Sequence, residues 1–337
     1  MTRNSYYDNS KCILIFLVVL GHLLEPSINE SNFTKSIFIF IYIFHMPCFI
    51  FTTGYFSKVK NWKETFKDSF KFLTIYLCVQ ILFIYFTKLI HIVKYNWTII
   101  TPYYVYWYIF AMVVWKIMLK LSEKINIKII FIFSLIIGLA IGLIDNVGTK
   151  FSLSRIFVFF PFFILGYYFR INNLNIKNII KNRYFSFSIL IISFIVILLK
   201  SRLIRYSWLY CFSSYHDLNV TQFNGILYRC GIYIIQFILL FSVFSLIPSK
   251  KEKFTFIGSH TLSIYLIHGF IVKLILVIGF YKNFNLEKEI FIPIIAIALI
   301  LIIIFSTSII NSLKKLIIFR LGEVMDLLLL TFKSKET

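Results

Sequence analysis

Acidic residues are scarce. The 337-residue chain holds 14 Asp and Glu against 35 Lys and Arg, and charged residues of both signs make up only 15%. A soluble domain is about a quarter charged, so this chain lacks the polar surface needed to wrap a water-soluble core. That excludes a soluble enzyme and a disordered protein. The five cysteines (Cys12, Cys48, Cys78, Cys211, Cys230) form no CxxC pair. They imply no disulfide scaffold and no metal site, zinc included. No internal repeat at a fixed period and no separate soluble domain is visible. No cleavable signal peptide is expected, because the first apolar run lacks a small-residue cleavage site and another run follows at once.

What the chain does have is apolar length. Apolar residues make up 59%, the mean hydropathy is +0.85, and runs of about twenty such residues match the ~30 Å of a hydrocarbon core. Only helices and closed barrels satisfy their backbone in lipid, and the ten-residue alternation of a barrel strand is missing. The expectation is an all-α integral membrane protein, a single transmembrane domain over 1–337 with about ten transmembrane helices. The spans are read at 12–25, 36–56, 72–92, 103–121, 129–145, 151–169, 184–200, 225–247, 257–281 and 290–311. The first is short, and the polar stretch before it can begin the helix.

The net charge of +21 would suggest nucleic acid on a soluble protein. On a membrane protein it fits cytoplasmic loops, which collect Lys and Arg; no nucleic-acid partner is expected. The segments around 3–11, 58–71, 120–128, 170–183, 250–253 and 314–335 hold 22 cations, and the alternate segments hold nine: Lys35, Lys88, Lys94, Lys150, Lys200, Arg202, Arg205, Lys282 and Lys288. The excess puts both termini in the cytoplasm. The longest outer loop, roughly 201–224, carries Trp208, Tyr210, Tyr215, His216 and Asp217. It reads equally as a binding mouth or as an interfacial aromatic belt.

Ionisable residues at membrane depth are costly and mark sites by default. Lys116, Arg155, Arg229 and Lys273 fall inside spans, while acids are confined to span ends at Glu25 and Asp145. With few carboxylates available, these cations either meet an anionic ligand or snorkel to an interface. Snorkelling is the simpler reading for Lys116 and Lys273. For Arg155 and Arg229, near the outer ends of their spans, an acceptor site and an interfacial anchor compete. Lys11 and His22 are eleven residues apart, close to three whole turns, so they share one helix face about 16 Å apart. His45 and His268 lie about 14 and 16 Å into their own spans. A lone histidine on an apolar face is usually a satisfied core residue. Three near one depth, one aligned with a lysine, point to a site. Glu25 can orient the His22 imidazole, or stand as a solvated carboxylate before Pro26.

At Lys11 and His22 the chain resembles a known family. YYDNSKCILIFLVVLGHLLEP (6–26) resembles the first helix of membrane acyltransferase family 3, in particular the fucose 4-O-acetylase-like branch, where Asp8 and Lys11 match a DxxK opening. FHMPCFIFTTGYF (44–56), YWYIFA (106–111), SRIFVFFPFFILGYYF (154–169) and FTFIGSHTLSIYLIH (254–268) resemble its later segments in order. Two positions depart from the family pattern: Lys11 for the commoner Arg, and Thr53 for Ser. A lysine lacks the bidentate fork an arginine offers a phosphate.

The resemblance implies an enzyme, an O-acetyltransferase. Such an enzyme moves acetyl from cytoplasmic acetyl-CoA to a hydroxyl of an extracytoplasmic or lipid-linked glycan, with no permanently bound cofactor. On that expectation His22 is the general base, with Glu25 and His268 beside it. Lys11, His45 and Thr53 serve the acyl-CoA side; Arg155, Arg229, Trp107 and Tyr265 serve the acceptor. A covalent route through Cys48 or Cys12 lacks evident thiolate activation. The expected location is a bacterial plasma membrane, and the Ile, Lys and Phe bias hints at a low-GC genome. A surface glycan such as capsule or wall polysaccharide is the natural acceptor there. The alternative is a transporter or flippase for an anionic or sugar substrate. Transporters often show repeated halves with broken helices, whereas this chain shows no repeat and has 12 Gly and 6 Pro.

Overall fold

A computed structural model describes residues 4–92, 101–145, 148, 150–283 and 288–305. In chain order the helices are α1 (Ser5–Leu24), α2 (Asn32–Phe56), α3 (Trp62–Leu89), α4 (Trp107–Leu121), α5 (Ile127–Ala140), α6 (Leu153–Ile171), α7 (Arg183–Lys200), the short α8 (Ser207–Tyr210), α9 (Gln222–Leu246), α10 (Thr261–Val277), the short α11 (Phe280–Asn283) and α12 (Lys288–Phe305). No strand occurs among the described residues. Among the described residues, six helical segments are long and apolar enough to cross a membrane: Ser5–Ser27, α2, α3, α6, α7 and α9. Shorter apolar helices fall at Ile127–Leu143, Thr261–Val277 and Ile292–Leu301. This is a multi-pass helical membrane protein. Residues 306–311, the end of the last expected span, lie outside the described residues, as does the basic segment 314–335.

Side-chain caps set several helix starts. Asn4 accepts from Tyr6 N–H, Ser31 from Thr34 N–H, Asn61 from Glu64 N–H and Thr221 from Asn224 N–H. Each satisfies a donor that the first helical turn leaves unpaired. The first helix starts seven residues before the expected 12, and the reason is tertiary. Asn9 Nδ2 donates to the carbonyls of Pro248 (2.9 Å) and Lys250 (2.8 Å), its Oδ1 accepts from Thr255 Oγ1 (2.6 Å), and Tyr6 donates to Phe244 O (2.6 Å). Polar residues are buried here because partners from the far end of the chain wait for them.

α2 occupies the centre, packed on α1, α6, α7 and α9. It meets α6 backbone to backbone. A Cβ on Gly54 would stand 1.9 Å from Phe163 O, and one on Gly166 would stand 2.0 Å from Phe51 O. Small residues let membrane helices approach this closely. Pro161 deprives α6 of one N–H. The carbonyls of Ile156 and Val158, flanking the one left unpaired, receive the Trp115 indole N–H (2.9 Å) and the Tyr233 hydroxyl (2.8 Å). α3 pairs with α4, and α10 and α12 pack on α1.

Candidate active site

The C-terminal end of α1 opens on a cavity of about 310 Å³. His22 and Glu25 line it, with Tyr42 and His45 of α2, Tyr104 and Trp107 at the start of α4, Arg155 of α6, Tyr265 of α10, and Tyr210 and Phe212 from the long loop after α7.

His22 Nδ1 lies 3.3 Å from Glu25 Oε2 and 3.1 Å from the Tyr42 hydroxyl. A carboxylate only accepts, so an ionised Glu25 draws the Nδ1 proton toward itself and leaves Nε2 with its lone pair. Glu25 is in turn held by Tyr104, which donates to Oε2 (3.3 Å), and Tyr210, which donates to Oε1 (2.9 Å). Tyr104 takes a left-handed backbone, φ 52°, a region a bulky residue rarely visits except where its surroundings enforce it. The Gln80 amide, which donates to Thr101 O and accepts from Tyr103 N–H, both at 2.9 Å, fixes this turn. The turn sets the Tyr104 ring 4.8 Å from the His22 ring.

The other two histidines converge on this pair. The His268 ring lies 5.5 Å from that of His22. Its Nδ1 donates to the carbonyl of Tyr265 at 2.8 Å, leaving Nε2 deprotonated, fully buried and without a hydrogen-bond partner among the described residues. His45 donates from Nδ1 to Ile41 O (2.8 Å) and faces Tyr42, ring to ring at 4.8 Å. Arg155 donates from Nε to Tyr210 O (2.8 Å), and its guanidinium lies about 5 Å from the Trp107 and Phe212 rings (5.2 and 5.1 Å). Such cation–π contacts hold a guanidinium in an aromatic wall. Among the described residues its other N–H groups have no hydrogen-bond partner, and Arg155 lines the cavity.

A second cavity, about 320 Å³, opens near the N-terminal end of α1. Lys11, Thr52, Thr53, Ser57, Tyr108, Lys116 and Tyr265 contribute to its lining. Lys11 Nζ is 3.5 Å from Asp8 Oδ1 and 4.5 Å from the Phe56 ring centroid. Thr53 bonds the carbonyl of Phe49 at 3.0 Å and also contacts the Tyr108 hydroxyl. Among the described residues, Tyr265 alone lines both cavities. Its hydroxyl donates to Val105 O, which holds the ring between them.

The structure therefore gathers His22, Glu25, His45, Trp107, Arg155 and Tyr265 around one cavity, with His268 behind His22, and places Lys11 and Thr53 on the other. His45, expected on the acyl-CoA side, lines the His22 cavity. Arg229 lines neither. It is buried, with Nη1 3.2 Å from Trp208 O and 3.0 Å from Cys211 Sγ, supporting the loop that covers the site. Cys12 and Cys48 are buried and line neither cavity. Lys116 lines the Lys11 cavity, with Nζ 3.7 Å from Asp68 Oδ2. Lys273 packs its ammonium 4.1 Å from the Tyr104 ring centroid. Tyr42 and Tyr104 form contacts around His22 and Glu25 that sequence reasoning missed, while Tyr210 comes from the 201–224 loop read as a binding mouth or an aromatic belt. The tyrosine-rich run 103–108 was the available signal. No group of three potential metal ligands clusters among the described residues.

Fold and site together define a membrane-embedded helical bundle in which an imidazole–carboxylate pair sits in one cavity and a lysine-lined cavity approaches it from the other end of the same helix. Residues 4–311 match the family described as "Acyltransferase domain", Acyl_transf_3, and the chain belongs to that family. A stretch of 56 residues is 52% identical to the nodulation protein NolL of Sinorhizobium fredii (strain NBRC 101917 / NGR234). That match spans 16% of this chain and 15% of the relative's length. No solved structure matches the chain.

Proposed function

We propose that the protein is an O-acetyltransferase of a bacterial plasma membrane. It takes acetyl from cytoplasmic acetyl-CoA and delivers it to a hydroxyl of an extracytoplasmic or lipid-linked glycan. About ten spans carry the chain, with both termini in the cytoplasm. Support comes from one observation above all: the Lys11 cavity and the His22 cavity meet at Tyr265. A donor from one face and an acceptor from the other then reach a common point.

In this scheme the CoA phosphates rest near Lys11, Lys116 and the basic loops. The pantetheine arm runs past Thr53 and Tyr265, a reach comparable to the ~16 Å rise between Lys11 and His22. His22 Nε2 removes the acceptor hydroxyl proton as the oxygen attacks the thioester carbon. The tetrahedral oxyanion collapses, the C–S bond breaks, and the CoA sulfur takes the proton back from the imidazolium. Base catalysis of this kind is worth about 10²–10⁴-fold. Glu25 keeps the ring in the working tautomer and stabilises its charged form. Arg155 suits the oxyanion or the acceptor, and the Tyr265 hydroxyl, whose proton goes to Val105 O, suits accepting a hydrogen bond from the acceptor. With Nδ1 donating to backbone, His268 Nε2 suits accepting a hydrogen bond rather than stabilising an oxyanion.

The test is purified full-length protein with radiolabelled acetyl-CoA and a glycan extract from the host. Label recovered as an alkali-labile ester on glycan is the expected result. Glycan that crosses a vesicle membrane with no covalent change would instead establish a transporter.

A further inference from the structure

A third cavity is larger than either of the first two, about 770 Å³, within the range of ligand pockets, about 300–1,000 Å³. It lies between α7 and α9. Ile192 and Val196 of α7 and Leu227 and Ile235 of α9 give it hydrocarbon walls, and Arg205 and Leu209 stand at the loop end. α7 sits at the edge of the bundle, packed on α9 and α2, with Ile191, Ile192, Ile195, Val196 and Leu199 exposed.

We propose that this cavity holds the hydrocarbon chain of a lipid-linked acceptor, with the lipid's phosphate at Arg205. Only the cargo of that lipid rests on the transferase reading; binding of the lipid itself does not.

Three observations carry the assignment. The first is charge. The segments expected outside hold only nine cations, yet Lys200, Arg202 and Arg205 fall within six residues of one another at the end of α7, all exposed. Arg205 itself lines the cavity. Only its Nη1 is committed in the described contacts, donating to Leu218 O at 2.9 Å, so the rest of the planar fork can meet a phosphate, for which a guanidinium is the best-matched donor. An apolar slot ending in a cation cluster is complementary to a chain with an anionic head.

The second is continuity. Leu209 lines this cavity and the His22 cavity alike. The next residue, Tyr210, donates to Glu25. A sugar attached to a phosphate at Arg205 is thus separated from the cavity of the reacting pair by a wall to which Leu209 contributes. The third is room. A Cβ placed on Gly231, which lines the cavity, meets nothing within 4 Å. A membrane phospholipid would satisfy the first and third observations, but not the shared wall with the reacting site.

The test is native mass spectrometry of the full-length protein from detergent, with undecaprenyl phosphate, undecaprenol and dioleoyl phosphatidylglycerol as probes. Undecaprenyl phosphate should persist as a one-to-one adduct that an equimolar amount of phosphatidylglycerol does not displace. Gly231→Phe, whose ring enters the open slot, should lower occupancy about tenfold or more. Arg205→Ala should bring undecaprenyl phosphate down to the level of undecaprenol, and this variant carries the test if Gly231→Phe does not fold. Adducts unchanged in both variants, or full displacement by phosphatidylglycerol, would overturn the proposal. His22→Ala should bind the lipid like the wild type. Loss of transfer with binding intact therefore bears on the catalytic reading alone, and transfer with no lipid adduct removes only the lipid site.

Discussion

Tyr210 places its hydroxyl 2.9 Å from Oε1 of Glu25 across 185 residues of sequence. That bond ties the long loop to the end of the first helix, so the cover of the cavity and the orientation of its imidazole are one construction. Tyr210→Phe should lower kcat about tenfold, the ~1.4 kcal/mol of one hydrogen bond to a carboxylate. KM for acetyl-CoA should hardly change, because the loop lines the other cavity. Steady-state kinetics on the purified variant separates the two.

Glu25→Gln keeps the shape and removes the charge. An amide can turn its NH₂ toward Nδ1 and favour the tautomer whose Nε2 carries the proton, so the base is lost rather than moved. A fall in kcat of about 10²-fold or more is expected, with the thermal midpoint little altered. A kcat within a factor of about two would mean that the carboxylate does not orient the ring.

Lys11 and Lys116 line the cavity assigned to acyl-CoA. Lys11→Ala should raise KM for acetyl-CoA about tenfold with kcat nearly retained, the mark of lost ground-state binding. Lys11→Arg should restore it, because a phosphate accepts either cation. A dead Lys11→Arg enzyme would argue against phosphate pairing.

Tyr265 divides the two cavities, and its hydroxyl is held by Val105 O. Tyr265→Ala should leave them open to one another. Water then reaches the thioester, and acetyl-CoA hydrolysis without acceptor should rise several-fold while transfer falls. Free CoA measured with a thiol reagent, with and without glycan, gives the ratio directly.

Much of the architecture is legible from apolar run lengths, because lipid forces every crossing segment to be helical. The alignment of Lys11 with His22 is legible for the same reason: helical geometry fixes it from spacing alone. The burial of Tyr6, Asp8, Asn9 and Ser10 is not, since a polar stretch that begins a helix carries no sign of what covers it, and what buries Asn9 is hydrogen bonding to Pro248, Lys250 and Thr255. The Lys116 ion pair is not legible either, because Asp68 lies 48 positions upstream and on another helix. Tyr104 and Tyr210 went unassigned for a related reason. Their roles depend on a left-handed backbone and a loop closure that no periodicity encodes.

The most direct test of the account is acetyl transfer by His22→Ala. With radiolabelled acetyl-CoA and the glycan acceptor, a purified variant that elutes and melts like the wild type should transfer at least about 10²-fold more slowly. Transfer at the wild-type rate from such a variant would contradict the assignment of His22 as the base, and with it the chemistry proposed for the cavity.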